Sequence, residues 1–290
     1  MDQRRIGTAS VSAIGLGGMP MSIEGRPDEA RSLATVHAAL DAGVTLFDTA
    51  DAYLLNPGET GHNELLIARG VDTYPGETDH VLIATKAGTL RPGDGTWYQN
   101  GDPAYLKQAA KASALRIGVD SIGLLQFHRP DPRVPFADSV GAFAELLDEG
   151  VIRQAGVSNV NPDQIREANE VLGGRLASVQ NQFSPAFVSS YPELEVCVEL
   201  GIAFLPWSPL GGMGRAGDIG SHAAPFQQVA DARGVSAQQV VLAWELGLAD
   251  VVIPIPGASR PSSILDSAGA AELKLSEDDL ALLAPVLGDS

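Results

Sequence analysis

The chain has 290 residues, 44% of them hydrophobic, and its 19 Lys+Arg against 36 Asp+Glu give a formal charge of −17. That apolar fraction belongs to a folded globular chain rather than a disordered one, and the acidity excludes the dense basic face that a nucleic acid or an anionic membrane surface requires. A single cysteine, Cys197, leaves no intrachain disulfide and no cysteine metal cluster. No apolar run approaches the roughly 18 residues of a spanning helix, and the opening MDQRR is not followed by a signal-like apolar core, so a cytoplasmic location is expected.

In chain order, Arg4–Ser12 comes first, and its Ile6-Gly7-Thr8 reads as the turn of a small β-hairpin able to plug the N-terminal end of a barrel. Short runs, apolar throughout, follow at Ala13–Gly17, Leu46–Asp48, Val81–Lys86, Ile122–His128, Ala155–Ser158, Ser178–Gln180, Ile202–Trp207 and Val251–Pro254. Strands of this kind are parallel strands covered by helices. Helix signals lie between them: Pro27-Asp28-Glu29 before Ala30–Ala42, Asp102-Pro103 before Ala104–Ile117, Pro135–Leu147, a start at Asn161-Pro162-Asp163, Ser236 before Ala237–Leu246, and Ser276-Glu277-Asp278-Asp279. The β-then-α order repeats with no linker or composition break. The expected architecture is therefore α/β, one (β/α)8 TIM barrel domain over residues 1–290 with the hairpin as plug, in preference to a two-domain or doubly wound arrangement. The long Gly/Pro-rich connection Ala87–Pro103 carries Trp97 and Tyr98, and connections of that length are usually functional or mobile.

In a barrel the chemistry sits where strands end at the C-terminal face. Those positions are Asp48 with Tyr53 one loop later, Lys86, His128, Ser158 with Asn159, Gln180, and Trp207 with Ser208. Singly, each has a plain alternative: Asp48 as a cap, Tyr53 as packing, Lys86 as a solvated lysine, His128 as a satisfied loop histidine. Together they put an acid, a phenol, a lysine and an imidazole at one mouth. A buried Lys86 needs Asp48 as partner. Its charge beside Tyr53 is expected to bring the phenol down from its ordinary pKa of about 10, making Tyr53 a usable general acid.

The segments FDTADAY, ATK, LLQFHRPD, GVSN, VQNQFSP, PWSPLGG and IPIPGASRP, in this order and over nearly the whole chain, resemble the aldo-keto reductase superfamily. The resemblance implies a catalytic set of Asp48, Tyr53, Lys86 and His128, with Tyr53 as proton donor to a carbonyl and a nicotinamide cofactor supplying hydride. It implies that Ser158, Asn159 and Gln180 bind the nicotinamide carboxamide and that Trp207 stacks on the ring. Ser208, Leu210 and Gly212 would lie along the pyrophosphate, with Gly257, Ser259 and Arg260 at the adenosine end. At that end Ser263, Asp266 and Ser267 stand where relatives carry Arg, Glu and Asn. Arg260 is then the nearby cation for a 2′-phosphate, with Arg215 a further phosphate contact, and NADP is expected rather than NAD.

Gly212–Gly217 formally matches G-x-G-x-x-G, but it leads into no helix, so it reads as a loop over the pyrophosphate and not as a Rossmann turn. Trp97 and Tyr98 are expected to wall the substrate pocket, and Phe183 and Phe187 stand as candidates for pocket or core. The short C-terminal end implies an open pocket for small polar carbonyls such as sugars or pyridoxal-like aldehydes. No His/Cys spacing suits a metal. The expected ligand is a small carbonyl or alcohol, and the expected assembly a monomer or weak homo-oligomer. Two other readings remain at this stage: a Schiff-base aldolase using Lys86, and a non-catalytic nicotinamide-binding redox sensor or regulatory subunit.

Overall fold

In the computed structural model, which describes residues 1–92, 94–212 and 224–288, the chain opens with an antiparallel hairpin. Its strands are β1 (Gln3–Ile6) and β2 (Ala9–Ser12), joined at Gly7, whose φ of +53° is left-handed. A seven-stranded parallel sheet follows: β3 (Leu16–Gly17), β4 (Leu46–Asp48), β5 (Leu82–Ala87), β8 (Leu124–Phe127), β9 (Ala155–Ser158), β10 (Leu176–Gln180) and β11 (Ala203–Phe204), neighbours in that order. Two further short strands, β6 (Thr89–Leu90) and β7 (Tyr98–Gln99), form a hairpin in the connection after β5.

The eighth predicted strand is present as a stave rather than a regular strand. Phe204 N donates to Val251 O at 2.8 Å and Ile253 N to Phe204 O at 2.8 Å, while Gly15 N and Gly17 N donate to Pro254 O and Pro256 O at 2.9 Å each. The segment therefore bridges β11 to β3 and closes the (β/α)8 barrel. Pro254 and Pro256 have no N–H to return, which is why no continuous ladder forms there.

The helices are α1 (Glu29–Asp41), α2 (His62–Asp72), α3 (Pro103–Ile117), α4 (Phe136–Asp148), α5 (Pro162–Val171), α6 (Tyr191–Leu200), α7 (Ala224–Arg233), α8 (Ala237–Leu246), α9 (Pro261–Gly269), α10 (Glu277–Leu283) and α11 (Pro285–Gly288). The predicted starts fall at real caps. Asp28, Asp102 and Ser236 each accept a backbone N–H three residues on, and Asn161 and Ser276 form capping boxes with Gln164 and Asp279. Among the described residues, no helix is long and apolar enough to cross a membrane.

Strand alternation divides the core in two. Leu46, Leu82, Leu124, Ala177, Ala203, Leu205 and Ile253 cluster inside the barrel, whereas their neighbours Phe47, Leu125, Val179, Phe204 and Val252 pack outward against helices. Ile6 and Val11 of the hairpin join the inner cluster, so the hairpin plugs the N-terminal end. Arg4 fastens it: its guanidinium donates to Ala249 O, Val252 O and Leu246 O at 2.5, 2.6 and 2.7 Å, where α8 ends and the closing stave begins. With that end sealed, the open end is the one where Asp48, Ser158 and Gln180 terminate their strands.

Candidate active site

Lys86 points inward from β5 and Asp48 from β4, with side-chain exposures of 1% and 4%. Lys86 Nζ donates to Asp48 Oδ1 at 2.5 Å, to Thr49 O at 2.9 Å and to the Tyr53 hydroxyl at 3.2 Å, which uses all three ammonium protons. Burial alone pushes the ammonium toward deprotonation, but Asp48 and Tyr53 outweigh it and hold its pKa above the ordinary lysine value. The other Asp48 oxygen accepts from Gln180 Nε2 at 2.7 Å and from Gln126 Nε2 at 3.4 Å, and Ser178 Oγ donates to Gln126 Oε1 at 3.2 Å. Gly156 leaves the room for that crossing, since a Cβ there would sit 2.9 Å from Gln126 Cγ. Four strands thus converge on one carboxylate.

Tyr53 is 7% exposed and meets the His128 ring edge to face, centroids 5.8 Å apart at 85°. Burial lifts the Tyr53 pKa; Lys86 pulls it down but Asp48 offsets that pull, and the net shift is upward. The expectation of a lowered phenol is therefore corrected: desolvation of a phenolate outweighs a lysine whose charge is already matched. Behind it, burial and the nearby Glu64 hold Asp51 well above the usual carboxylate range. Burial likewise pushes His128 well below the ordinary histidine value, helped by Lys86 and Arg129. Its Nδ1 is shielded from solvent and has no partner among the described residues. The site presents a protonated phenol beside a neutral imidazole.

These groups open onto a cavity of about 230 Å³. Asp48, Tyr53, His128, Ser158, Asn159, Gln180, Trp207, Ser208, Leu210, Gly212, Gly257 and Trp97 all line it, with Lys86 behind Asp48. Several of the polar side chains are already joined to one another. Ser158 Oγ donates to Gln180 O at 2.6 Å, and Asn159 Nδ2 to Ser158 Oγ at 2.9 Å and to His128 O at 3.0 Å. Trp207 Nε1 is buried with no partner among the described residues, and Ser208, Gly211 and Gly212 turn the backbone through φ of +52°, +81° and +95°.

Other predicted residues lie elsewhere. Ser259 and Arg260 are not in the cavity wall; Arg260 is exposed at the start of α9, its Nε donating to Ser263 Oγ at 2.8 Å. Tyr98 does not line the cavity either; it opens β7 with its side chain exposed to solvent. Phe183 is core, stacked on Trp244 at 6.0 Å, and Phe187 is a part-exposed surface residue. The proposed loop over the pyrophosphate beyond Gly212, with Arg215, lies outside the described residues. Asp266 serves the scaffold, accepting from Ser236 Oγ at 2.7 Å and Gln239 Nε2 at 2.8 Å to join α9 to α8.

Two arginines escaped the sequence reading. Arg91 stacks on Trp97, 4.6 Å from its ring centroid, and donates to Leu54 O and to Glu24. It holds Trp97 against the loop that carries Tyr53. Arg129 lines the cavity beside His128; its place directly after a strand-end histidine was the available signal.

The aldo/keto reductase family model matches residues 13–287. An uncharacterized oxidoreductase of Schizosaccharomyces pombe is 34% identical over 285 residues, covering 96% of this chain and 88% of the relative. The 6-dehydroglucose reductase of Novosphingobium aromaticivorans is 33% identical over 279 residues, covering 93% and 90%. Among solved structures, a glycerol dehydrogenase from Gluconobacter oxydans superimposes with a TM-score of 0.85 at 25% identity, covering 99% of this chain and 95% of the other. An aldo/keto reductase from Klebsiella pneumoniae in complex with NADP and acetate gives 0.79 at 25% identity, covering 98% and 94%. The chain belongs to the aldo/keto reductase family.

Proposed function

We propose that the chain is a cytoplasmic NADP-dependent carbonyl reductase, Tyr53 protonating the oxygen of a small aldehyde or ketone. The observation that carries this is the Tyr53 hydroxyl itself: protonated at neutral pH, in the cavity wall, and bonded at 3.2 Å to a lysine that stays charged. The groove beside it suits an extended dinucleotide. It offers the Trp207 face, a buried Trp207 Nε1 with no acceptor among the described residues, and the turned backbone at Ser208–Gly212. Ser158, Asn159 and Gln180 would hold the carboxamide, Ser208, Leu210 and Gly212 the pyrophosphate, and Gly257, Ser259 and Arg260 the adenosine end. A reduced nicotinamide bound there supplies the hydride.

The remaining steps belong to this chain's residues. Tyr53 and His128 orient the carbonyl oxygen, His128 as a neutral N–H donor. The Tyr53 proton passes to that oxygen as negative charge develops on it, and the phenolate left behind faces the Lys86 ammonium, fixed in place by Asp48. Oxidation of an alcohol uses the same groups in reverse. A Schiff base at Lys86 is opposed by its burial, its three hydrogen bonds and its raised pKa, which together leave no free amine.

NADP rather than NAD is supported by exposed Arg260, which has no carboxylate partner among the described residues, and by the NADP complex of the Klebsiella relative. Small polar substrates are supported by the relatives named for dehydroglucose and glycerol. The deciding experiment is NADPH oxidation against a carbonyl panel, with Tyr53→Phe alongside. Turnover in the wild type, a loss of about a hundredfold or more in the variant and an unchanged Kd for NADPH are expected. A variant that keeps most of its activity removes Tyr53 as proton donor, and tight NADPH binding without turnover in the wild type favours the sensor reading. Equal Kd values for NADPH and NADH would end the NADP preference, and Arg260→Ala is expected to weaken NADPH alone.

A further inference from the structure

Like Arg260, and unlike many of the chain's other arginines, Arg129 has no carboxylate partner among the described residues. Arg26, Arg91, Arg116, Arg133 and Arg166 each pair with a carboxylate, as an excess of acidic residues encourages. Arg129 has no such ion pair among the described residues; its one hydrogen bond there runs from Nη2 to Asn159 Oδ1 at 3.0 Å. It lines the same cavity as His128 and Trp97 and is itself exposed to solvent. Among the described residues Asp48 is the single carboxylate in the cavity lining, and its oxygens are taken by Lys86, Gln126 and Gln180. Arg91, behind Trp97, is committed to Glu24. The cavity of a protein with a formal charge of −17 thus carries, among its described residues, a guanidinium with no carboxylate partner beside the proposed reacting groups.

A guanidinium has five N–H donors in a planar fork, and Asn159 uses one. The fork matches a carboxylate in both geometry and charge, which an alcohol or an ether oxygen cannot do. One accessible cation balances a carboxylate; a phosphate, near −2 at neutral pH, would keep a charge unpaired. We propose that Arg129 is a specificity-determining residue and that the preferred substrates are small aldehydes or ketones carrying a carboxylate away from the reacting carbon, an inference that rests on the carbonyl-reductase reading above. The carboxylate docks on Arg129, and the carbonyl oxygen then reaches Tyr53 and His128 in the same cavity.

The test compares substrates of one shape and different charge, 4-formylbenzoate and its methyl ester, with 4-oxobutanoate and butanal as a smaller pair. The readout is the ratio of kcat/KM for acid over neutral partner, in wild type, Arg129→Gln and Arg129→Lys, with Kd for NADPH measured by fluorescence in each. Wild type is expected to favour the acids, increasingly so at low ionic strength. Arg129→Gln is expected to lower the ratio roughly 10- to 100-fold, mainly through KM, the size of effect one charge-assisted hydrogen bond carries, and Arg129→Lys to fall between. A wild-type ratio near one overturns the proposal while leaving carbonyl reduction standing. So does an Arg129→Gln variant in which both partners fall together, which would mean that Arg129 acts through Asn159. A variant that loses NADPH affinity with its ratio intact assigns Arg129 to the cofactor. If the wild type reduces none of the four compounds or any other carbonyl, this inference falls together with the reading beneath it.

Discussion

Lys86 and Asp48 form a 2.5 Å ion pair sealed from solvent, and the same ammonium reaches the Tyr53 hydroxyl. The pair is at once a structural element and the electrostatic support of the proposed proton donor. Those two functions separate under mutation. Lys86→Met leaves Asp48 buried and uncompensated, so a loss of about 3–5 kcal/mol is expected in urea unfolding. Lys86→Met with Asp48→Asn removes both charges and should recover much of that stability. Reductase activity should stay low in both variants, because neither restores a cation beside Tyr53.

The pH profile follows from opposite shifts at Tyr53 and His128. Reduction needs the phenol protonated, and burial keeps its pKa above the ordinary value of about 10. The rate of reduction is therefore expected to be flat across neutral pH and to fall only at strongly alkaline pH. No inflection is expected near 6.5, the ordinary histidine value, because His128 stays neutral well below it. In stability, the depressed His128 pKa makes the unfolded chain take up the proton first, so the fold weakens as pH falls below about 6.5. Lys86 acts at the other end: its raised pKa contributes stability in full below about 10.4, and that contribution is lost as pH rises through the folded value.

Glu245 is a liability within α8. It is fully buried, neither carboxylate oxygen has a partner among the described residues, and burial holds its pKa well above the usual range. A group shifted this way favours the fold at low pH, and that contribution is lost as pH rises toward the folded pKa. Glu245→Leu should therefore stabilise the protein, by about 1–3 kcal/mol at pH 7 and by less at pH 4. Urea midpoints at the two pH values provide the check.

Arg91 ties three loops together through Glu24, Leu54 O and the Trp97 ring. Arg91→Met should free Trp97 from the cavity wall. The expected result is a KM raised about three- to tenfold with kcat changed less, since Asp48, Lys86 and Tyr53 hold one another without it. Weakened quenching or a blue-shift lost from the Trp97 emission would report the same release.

Much of this architecture is written locally, and for that reason it can be read. Asn161, Ser236 and Ser276 mark helix starts because their side chains bond backbone three residues away. Strand ends locate Asp48, Lys86 and His128 by counting along apolar runs. Where the controlling partner is remote, reading fails. Helix α2 begins after Gly61 at φ +80° without a side-chain cap, and its early Asn63 and Glu64 are buried polar groups satisfied by Gly18 O, Ser22, Thr85 and Arg116. The sign of the Tyr53 shift depends on how much water is excluded, a quantity that charge placement along a sequence does not contain. The same holds for Arg129, whose want of a carboxylate partner among the described residues shows only once the chain is folded.

The three bonds from Arg4 to Leu246 O, Ala249 O and Val252 O also order events in time. During synthesis the plug leaves the ribosome ahead of the barrel strands, yet every acceptor for its guanidinium is made more than 240 residues later. The barrel cannot become a ring until residues 251–257 reach both β11 and β3. Nascent chains stalled short of that point should leave β3 and β11 as open edges, the state in which parallel sheets are most prone to aggregate. Chaperone dependence should accordingly be greatest just before the last stave emerges, and limited proteolysis of stalled chains would reveal it as cleavage near Arg4 and Arg5.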